Sequence, residues 1–176
     1  MDAQIQYGAV AKLLHWLIFA LVAAQFVIAW TMPEIHRGTP PEGLVAWHLS
    51  VGTAILLLIV LRLLWRLSHP APPPLAGVPE WQRSLSRLVH GLLYAILLVD
   101  PVLGWGNASS RGYPVKLFGA IPLPALFEKG SRLGHQLGDI HSTLAWVMLF
   151  LIGVHAASAL YRHFIAKDPT LRRMLP

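Results

Sequence analysis

Cysteine is absent from the 176 residues. Its absence excludes disulfides, iron–sulfur clusters and zinc–thiolate sites, and it excludes covalent haem attachment through a CxxCH motif. Charge is scarce as well: Asp, Glu, Lys and Arg make up 12% of the chain, where a soluble domain carries about a quarter. Apolar residues reach 55%, so much of the surface must face something other than water. The net charge of +6 does not point to nucleic acid, because the basic residues flank apolar runs instead of forming a face of their own. Against this background the nine histidines demand a reason.

Four segments are long and apolar enough to cross a bilayer, which takes about 20 residues. Residues 13–32 and 43–61 carry no charge, 88–110 carry only Asp100, and 140–161 carry none. Lipid offers no partner to backbone groups, so each segment must be a helix. The expected fold is an all-α integral membrane four-helix bundle, a single domain over 1–176 with spans near 13–32, 43–65, 86–108 and 139–163. The first run reads as a retained span and not a cleaved signal. It is long for such a signal, it holds His15, and Met32-Pro33-Glu34 is a poor cleavage context.

The connections differ in kind. Residues 68–79 hold Pro70, Pro72, Pro73, Pro74 and Pro79, a stiff extended crossing. Residues 111–138 form the longest loop, expected as a partly ordered cap with amphipathic pieces on the surface. One side of the bundle has Lys12, Arg62, Arg66, Arg83, Arg87, Arg162, Lys167, Arg172 and Arg173; the other has Arg37, Arg111, Lys116, Lys129 and Arg132. That bias predicts cytoplasmic N- and C-termini. Trp16, Trp30, Trp47, Trp65, Trp81 and Trp105 lie near span ends, as an aromatic belt does, with Trp146 deeper.

Ionisable residues inside a membrane are costly and mark function. His15 and His90 lie near the cytoplasmic ends of the first and third spans, and His48 near the outer end of the second. His141 and His155 share the fourth. Their 14-residue separation corresponds to roughly 21 Å along a helix, with the side chains returning to within about 40° of each other. One helix thus presents two histidines on one face at two depths. His48 can meet His141 at the outer level; His15 or His90 can meet His155 at the inner level. Haem iron takes two axial imidazoles, and bundles place such ligands on facing helices. Gly52, Ala145 and Ala159 follow His48, His141 and His155 by one turn, and Gly153 and Ala156 flank His155, leaving room for a flat macrocycle. His36, His69, His135 and His163 fall in loops or at helix ends.

These residues carry a resemblance to the bacterial cytochrome b561 family, related to the cytochrome b subunits of Ni-Fe hydrogenases. It covers nearly the whole chain. It rests on Leu14-His15-Trp16, His48 with Gly52, Arg62 and Arg66 before a proline-rich loop, Arg111-Gly112-Tyr113-Pro114 and Phe118-Gly119. It continues through His141, Gly153-Val154-His155-Ala156-Ala157, Lys167-Asp168, Leu171 and Arg173-Met174. The resemblance implies two non-covalent b-type haems, with His15 and His155 on the inner iron and His48 and His141 on the outer. It makes His90 a propionate partner or part of a quinone site. Asp100 before Pro101 departs from the apolar residue expected there: it can bond a histidine, relay protons, or stay protonated and inert.

The resemblance further implies a multi-pass protein of the bacterial inner membrane, similar to superoxide:quinone oxidoreductases. In these, superoxide or another one-electron donor delivers electrons on the periplasmic side and a ubiquinone-type quinone accepts them on the inner side. Arg111, Lys116, Lys129 and Arg132 can steer an anion to the outer face or merely solvate a long loop. Arg62, Arg66, Arg162 and His163 can contact propionates or quinone, or simply express the positive-inside bias. A second reading is a membrane anchor that relays electrons for a partner dehydrogenase or hydrogenase and has no substrate site of its own. A third is a haem-free transporter, which no HExxH or other dense metal motif supports.

Overall fold

A computed structural model describes residues 6–36, 38–73, 75 and 77–175; Arg37 of the outer basic set and Pro74 of the proline-rich crossing lie outside them. The chain forms helices α1 (Ala9–Thr31), α2 (Gly43–Ser68), α3 (Glu80–Arg111) and α4 (Arg132–Phe164), with strands β1 (Lys116–Leu117) and β2 (Ile121–Pro122) between the last two helices. All four helices are long and apolar enough to cross a membrane. The first has 23 residues, or about 34 Å, against a hydrocarbon core of about 30 Å.

The helices outrun the expected spans, most at the start of α3 and α4. Apolar windows begin at 86 and 139, whereas the helices begin at Glu80 and Arg132. The extra turns are polar and continue beyond the apolar windows, where backbone bonding within the helix persists. At the start of α3, Glu80 pairs with Arg87 at 2.7 Å and Arg83 at 3.8 Å. Ser131 caps α4, accepting from the Gly134 amide.

The loop between α3 and α4 carries no amphipathic helix; it folds as a short antiparallel β pair, Lys116 opposite Pro122 and Leu117 opposite Ile121. Gly112, with φ of 77°, ends α3 in a left-handed turn. Its amide bonds the Ser109 carbonyl, and the Tyr113 amide bonds that of Ala108, a Schellman closure. The loop then ties back through Trp105 Nε1 to the Pro124 carbonyl, the Leu126 amide to Ser109 Oγ, and Tyr113 Oη to the Thr39 carbonyl.

Packing follows chain order: α1 on α2, α2 on α3, and α3 most extensively on α4. The last seam is built on glycine. A Cβ on Gly134 would meet Ser110 Cβ at 2.5 Å and the Gly106 carbonyl at 3.2 Å; one on Gly106 would meet Leu137 at 2.9 Å; one on Gly138 would meet Asn107 at 2.8 Å. Small residues let helix backbones approach closely where lipid supplies no hydrophobic drive. Elsewhere no Cα of α4 comes within 8 Å of α1 or α2, and side chains alone bridge that gap. Ile18, Val22, Ile55 and Ile59 form one buried cluster and Ile96, Met148 and Leu151 another; Phe26, Leu97 and Ile152 pack against both.

Residues 165–175 fold back under the end of the bundle where α1 begins and α4 ends. Trp16 Nε1 donates to the Met174 carbonyl, and Arg173 donates to the Pro73 carbonyl. Arg162 pairs with Asp168 at 2.6 Å. Burial alone would raise the Asp168 carboxyl, but hydrogen bonds from Thr170 and Arg162, with the guanidinium charge, hold it below the ordinary carboxylate value.

The glycine seam makes a direct prediction. Gly134→Ala overpacks α3 against α4, at a cost of about 1–3 kcal/mol, and lowers the thermal midpoint of the detergent-solubilised protein. Gly91→Ala, where an added Cβ meets nothing within 4 Å, leaves it unchanged.

Candidate functional site

Each histidine pair expected from the sequence spans the gap beside α4. At the outer level the ring centres of His48 and His141 lie 6.0 Å apart, their planes at 82°. At the inner level His15 and His155 lie 6.3 Å apart, at 73°. His90 approaches His155 more closely, at 4.9 Å. These spacings bear on haem chemistry. Two metal–nitrogen bonds of about 2 Å, one on each side of an iron, place axial imidazole centres roughly 6 Å apart. The first two pairs fit that requirement; the His90 pair is too close for it. His90 is also exposed, and its Nδ1 is turned back onto its own helix, 2.6 Å from the Ser86 carbonyl.

At the outer level the gap widens into a cavity of about 680 Å³, lined by His48, His141, Asp100, Gly104, Arg111 and Ala145 among others. Cofactor sites commonly measure about 300–1,000 Å³. Several polar atoms are buried at this site without a hydrogen bond among the described residues: Gln25 Oε1, His48 Nδ1, Asn107 Oδ1 and Arg111 Nε. Unpaired buried donors and acceptors are costly, so they suit a site built to receive a polar-edged group.

His141 is held from α3. Its Nδ1 lies 3.0 Å from the Asp100 carbonyl and 3.0 Å from Asp100 Oδ1. A carbonyl can only accept, so Nδ1 carries the proton and Nε2 keeps its lone pair for a metal. Gly104 makes room: a Cβ there would meet His141 Cε1 at 3.2 Å. Pro101, inside the same helix, removes the amide that would bond the Leu97 carbonyl. Asp100 is therefore neither solvated nor idle; it is a histidine partner with a side chain only 5% exposed.

At the inner level Arg62 donates to Tyr94 Oη at 3.0 Å and to the Ala11 carbonyl at 3.0 Å. It stands close enough to His15 and His155 to act on both electrostatically. Arg66 is exposed. Arg162 is engaged by Asp168, and His163 sits beside Phe164 in the last turn of α4. His36 pairs with Glu34 in a loop, His69 stacks on Trp65, and His135 lies exposed in the first turn of α4.

Some of the site was not read from the sequence. Gln25 of α1 donates to the His48 carbonyl at 2.9 Å, and the open face of Gly52 is what admits it, since a Cβ there would stand 3.3 Å from Gln25 Nε2. A lone glutamine in an apolar run was the available signal. Arg111, read from the sequence as an outer-face charge, lines the cavity with its Nε buried, and Gly104 had no mark beyond its place one turn after Asp100.

Known proteins resemble this chain along nearly its whole length. The sequence profile of prokaryotic cytochrome b561 matches residues 6–176. Cytochrome b561 homolog 2 of Escherichia coli (strain K12) is 31% identical, over 97% of this chain and 91% of its own length. The probable superoxide oxidase CybB of Yersinia pestis is 33% identical, over 97% and 96%. Cytochrome b562 of Cereibacter sphaeroides is 28% identical, over 99% and 98%. Four membrane-spanning helices and a match along nearly the whole chain lead to one conclusion: this multi-pass protein of the bacterial inner membrane belongs to the prokaryotic cytochrome b561 family, membrane electron carriers with b-type haem.

Proposed function

We propose that the chain holds two b-type haems, one between His15 and His155 and one between His48 and His141, and moves electrons between an outer donor and quinone at the inner end. The observation that carries this reading is the pair of ring-centre separations, 6.3 and 6.0 Å. They lie at two levels of one helix, and the competing His90 lies at 4.9 Å. A haem between two imidazoles takes up and returns a single electron without changing its ligands.

The protein's own residues do the remainder. His48 and His141 fix the outer level and His15 and His155 the inner, about 21 Å apart along α4. Leu144, Met148, Leu151 and Ile152 fill the stretch between with apolar side chains, which keeps water out of the path. Superoxide is the donor best suited to the outer face. Arg111, Lys116, Lys129 and Arg132 put positive charge around it, and Arg111 leans into the cavity. The likeness to a probable superoxide oxidase supports the same donor. The electrons balance: two superoxide anions leave as dioxygen, giving one electron each, and one quinone takes both electrons and two protons to become quinol. His90, Arg62 and Tyr94 cluster at the inner level and offer a place for the quinone headgroup. Arg66 and Arg162 stand at the same end, Arg66 free to meet a propionate and Arg162 already paired.

The basic side holds nine Lys and Arg and the opposite side five, Arg37 included, which supports cytoplasmic termini. A green fluorescent protein fused to the C-terminus is expected to fluoresce in cells; an active alkaline phosphatase at the same point would reverse the orientation.

The activity is tested with the purified protein alone, a superoxide-generating system and a short-chain ubiquinone. Quinol is expected to form at one per two superoxide consumed, more slowly as salt screens the outer charges, and His48→Ala is expected to abolish it. Quinone reduction that appears only on adding a dehydrogenase would overturn the proposal and leave a relay anchor in its place.

A further inference from the structure

We infer that Asp100 is a positioning residue that makes the outer axial ligand electronically different from the other three, by holding a carboxylate against His141 Nδ1. The inference rests on the reading of His141 as an iron ligand and goes beyond it. Asp100 Oδ1 and the Asp100 carbonyl both lie 3.0 Å from Nδ1. Among the described residues the Nδ1 atoms of His15, His48 and His155 have no hydrogen-bond partner, and that of His48 is buried. One ligand of four therefore carries an anionic acceptor.

The consequence is chemical. A carboxylate that accepts the Nδ1 proton pushes electron density into the ring and makes Nε2 a stronger donor. A stronger donor favours ferric over ferrous iron, so the potential at that site falls; hydrogen bonding behind the ligand is one of the protein's main levers on a haem. The site is shaped for this and not for packing alone. The Asp100 side chain is only 5% exposed, where an isolated carboxylate in the membrane would be costly. Gly104, one turn on, gives up its side chain so the imidazole can lie against α3. Arg111 lines the same cavity, but it is common to every comparison below.

The test is a redox titration of the visible spectrum, resolved into two one-electron components, with haem counted per chain. Asp100→Asn keeps an acceptor for Nδ1 and removes the charge. It is expected to retain both haems and to raise the midpoint of one component alone, by a change in ferric preference on the order of tenfold, equivalent to about 59 mV. The component that moves is the one missing from His48→Ala. Asp100→Leu, which removes the side-chain acceptor and its charge together and leaves only the backbone carbonyl on Nδ1, raises the same component at least as far and loses that haem faster in detergent. Two haems with both midpoints unmoved in Asp100→Asn would overturn the assignment, as would an equal shift of both components, the sign of a general structural effect. A His141→Ala protein that keeps both haems would instead remove the ligand reading, and the assignment with it.

Discussion

The glycine seam between α3 and α4 is the contact on which the rest of the arrangement depends. Gly106, Gly134 and Gly138 bring the two backbones together so closely that an added methyl on any of them would collide. With α4 drawn onto α3, no Cα of α4 lies within 8 Å of α1 or α2. A packed four-helix bundle would fill that space with side chains in contact. Here it is crossed at two levels by facing imidazoles, with an apolar layer between.

That layout resolves a conflict that any membrane redox protein meets. Imidazole, carboxylate and guanidinium groups are expensive in hydrocarbon, yet they are the groups that ligate and tune a metal. Several polar groups of the site meet the cost in a specific way. His141 is bonded to Asp100, Gln25 to the backbone of His48, and Arg62 to Tyr94 and Ala11. The atoms that remain unpaired, among them His48 Nδ1, Asn107 Oδ1 and Arg111 Nε, gather at the outer cavity, where a haem with charged propionates would meet them. The spacing of the facing imidazoles and the placement of the orphaned atoms thus suit a haem at the outer level.

Much of this was legible in the sequence because bilayer physics leaves few options. Four apolar runs without charge can only be helices, and a 14-residue spacing on one of them can only stack His141 over His155. The choice between His15 and His90 was not legible from the residues. Both lie near the same end of their spans, and only the family resemblance favoured His15; the ring separations of 6.3 and 4.9 Å support that choice. The helices α3 and α4 begin six or seven residues ahead of the expected spans, because hydropathy registers the apolar stretch while the helical hydrogen-bond ladder runs on through polar turns. The β pair after α3 consists of two residues per strand, too short for any periodicity to show. Asp100 was visible as an anomaly, but its partner sits 41 residues away and emerges only once α3 and α4 are packed.

The most direct test of the account is the haem count of detergent-purified protein, by reduced-minus-oxidised spectrum and pyridine haemochrome, in the wild type and in His15→Ala and His90→Ala. Two low-spin b haems per chain are expected in the wild type, one in His15→Ala and two in His90→Ala. Two haems in His15→Ala and one in His90→Ala would contradict the pairing read from the ring separations, and a single haem in the wild type would contradict the two-level site itself.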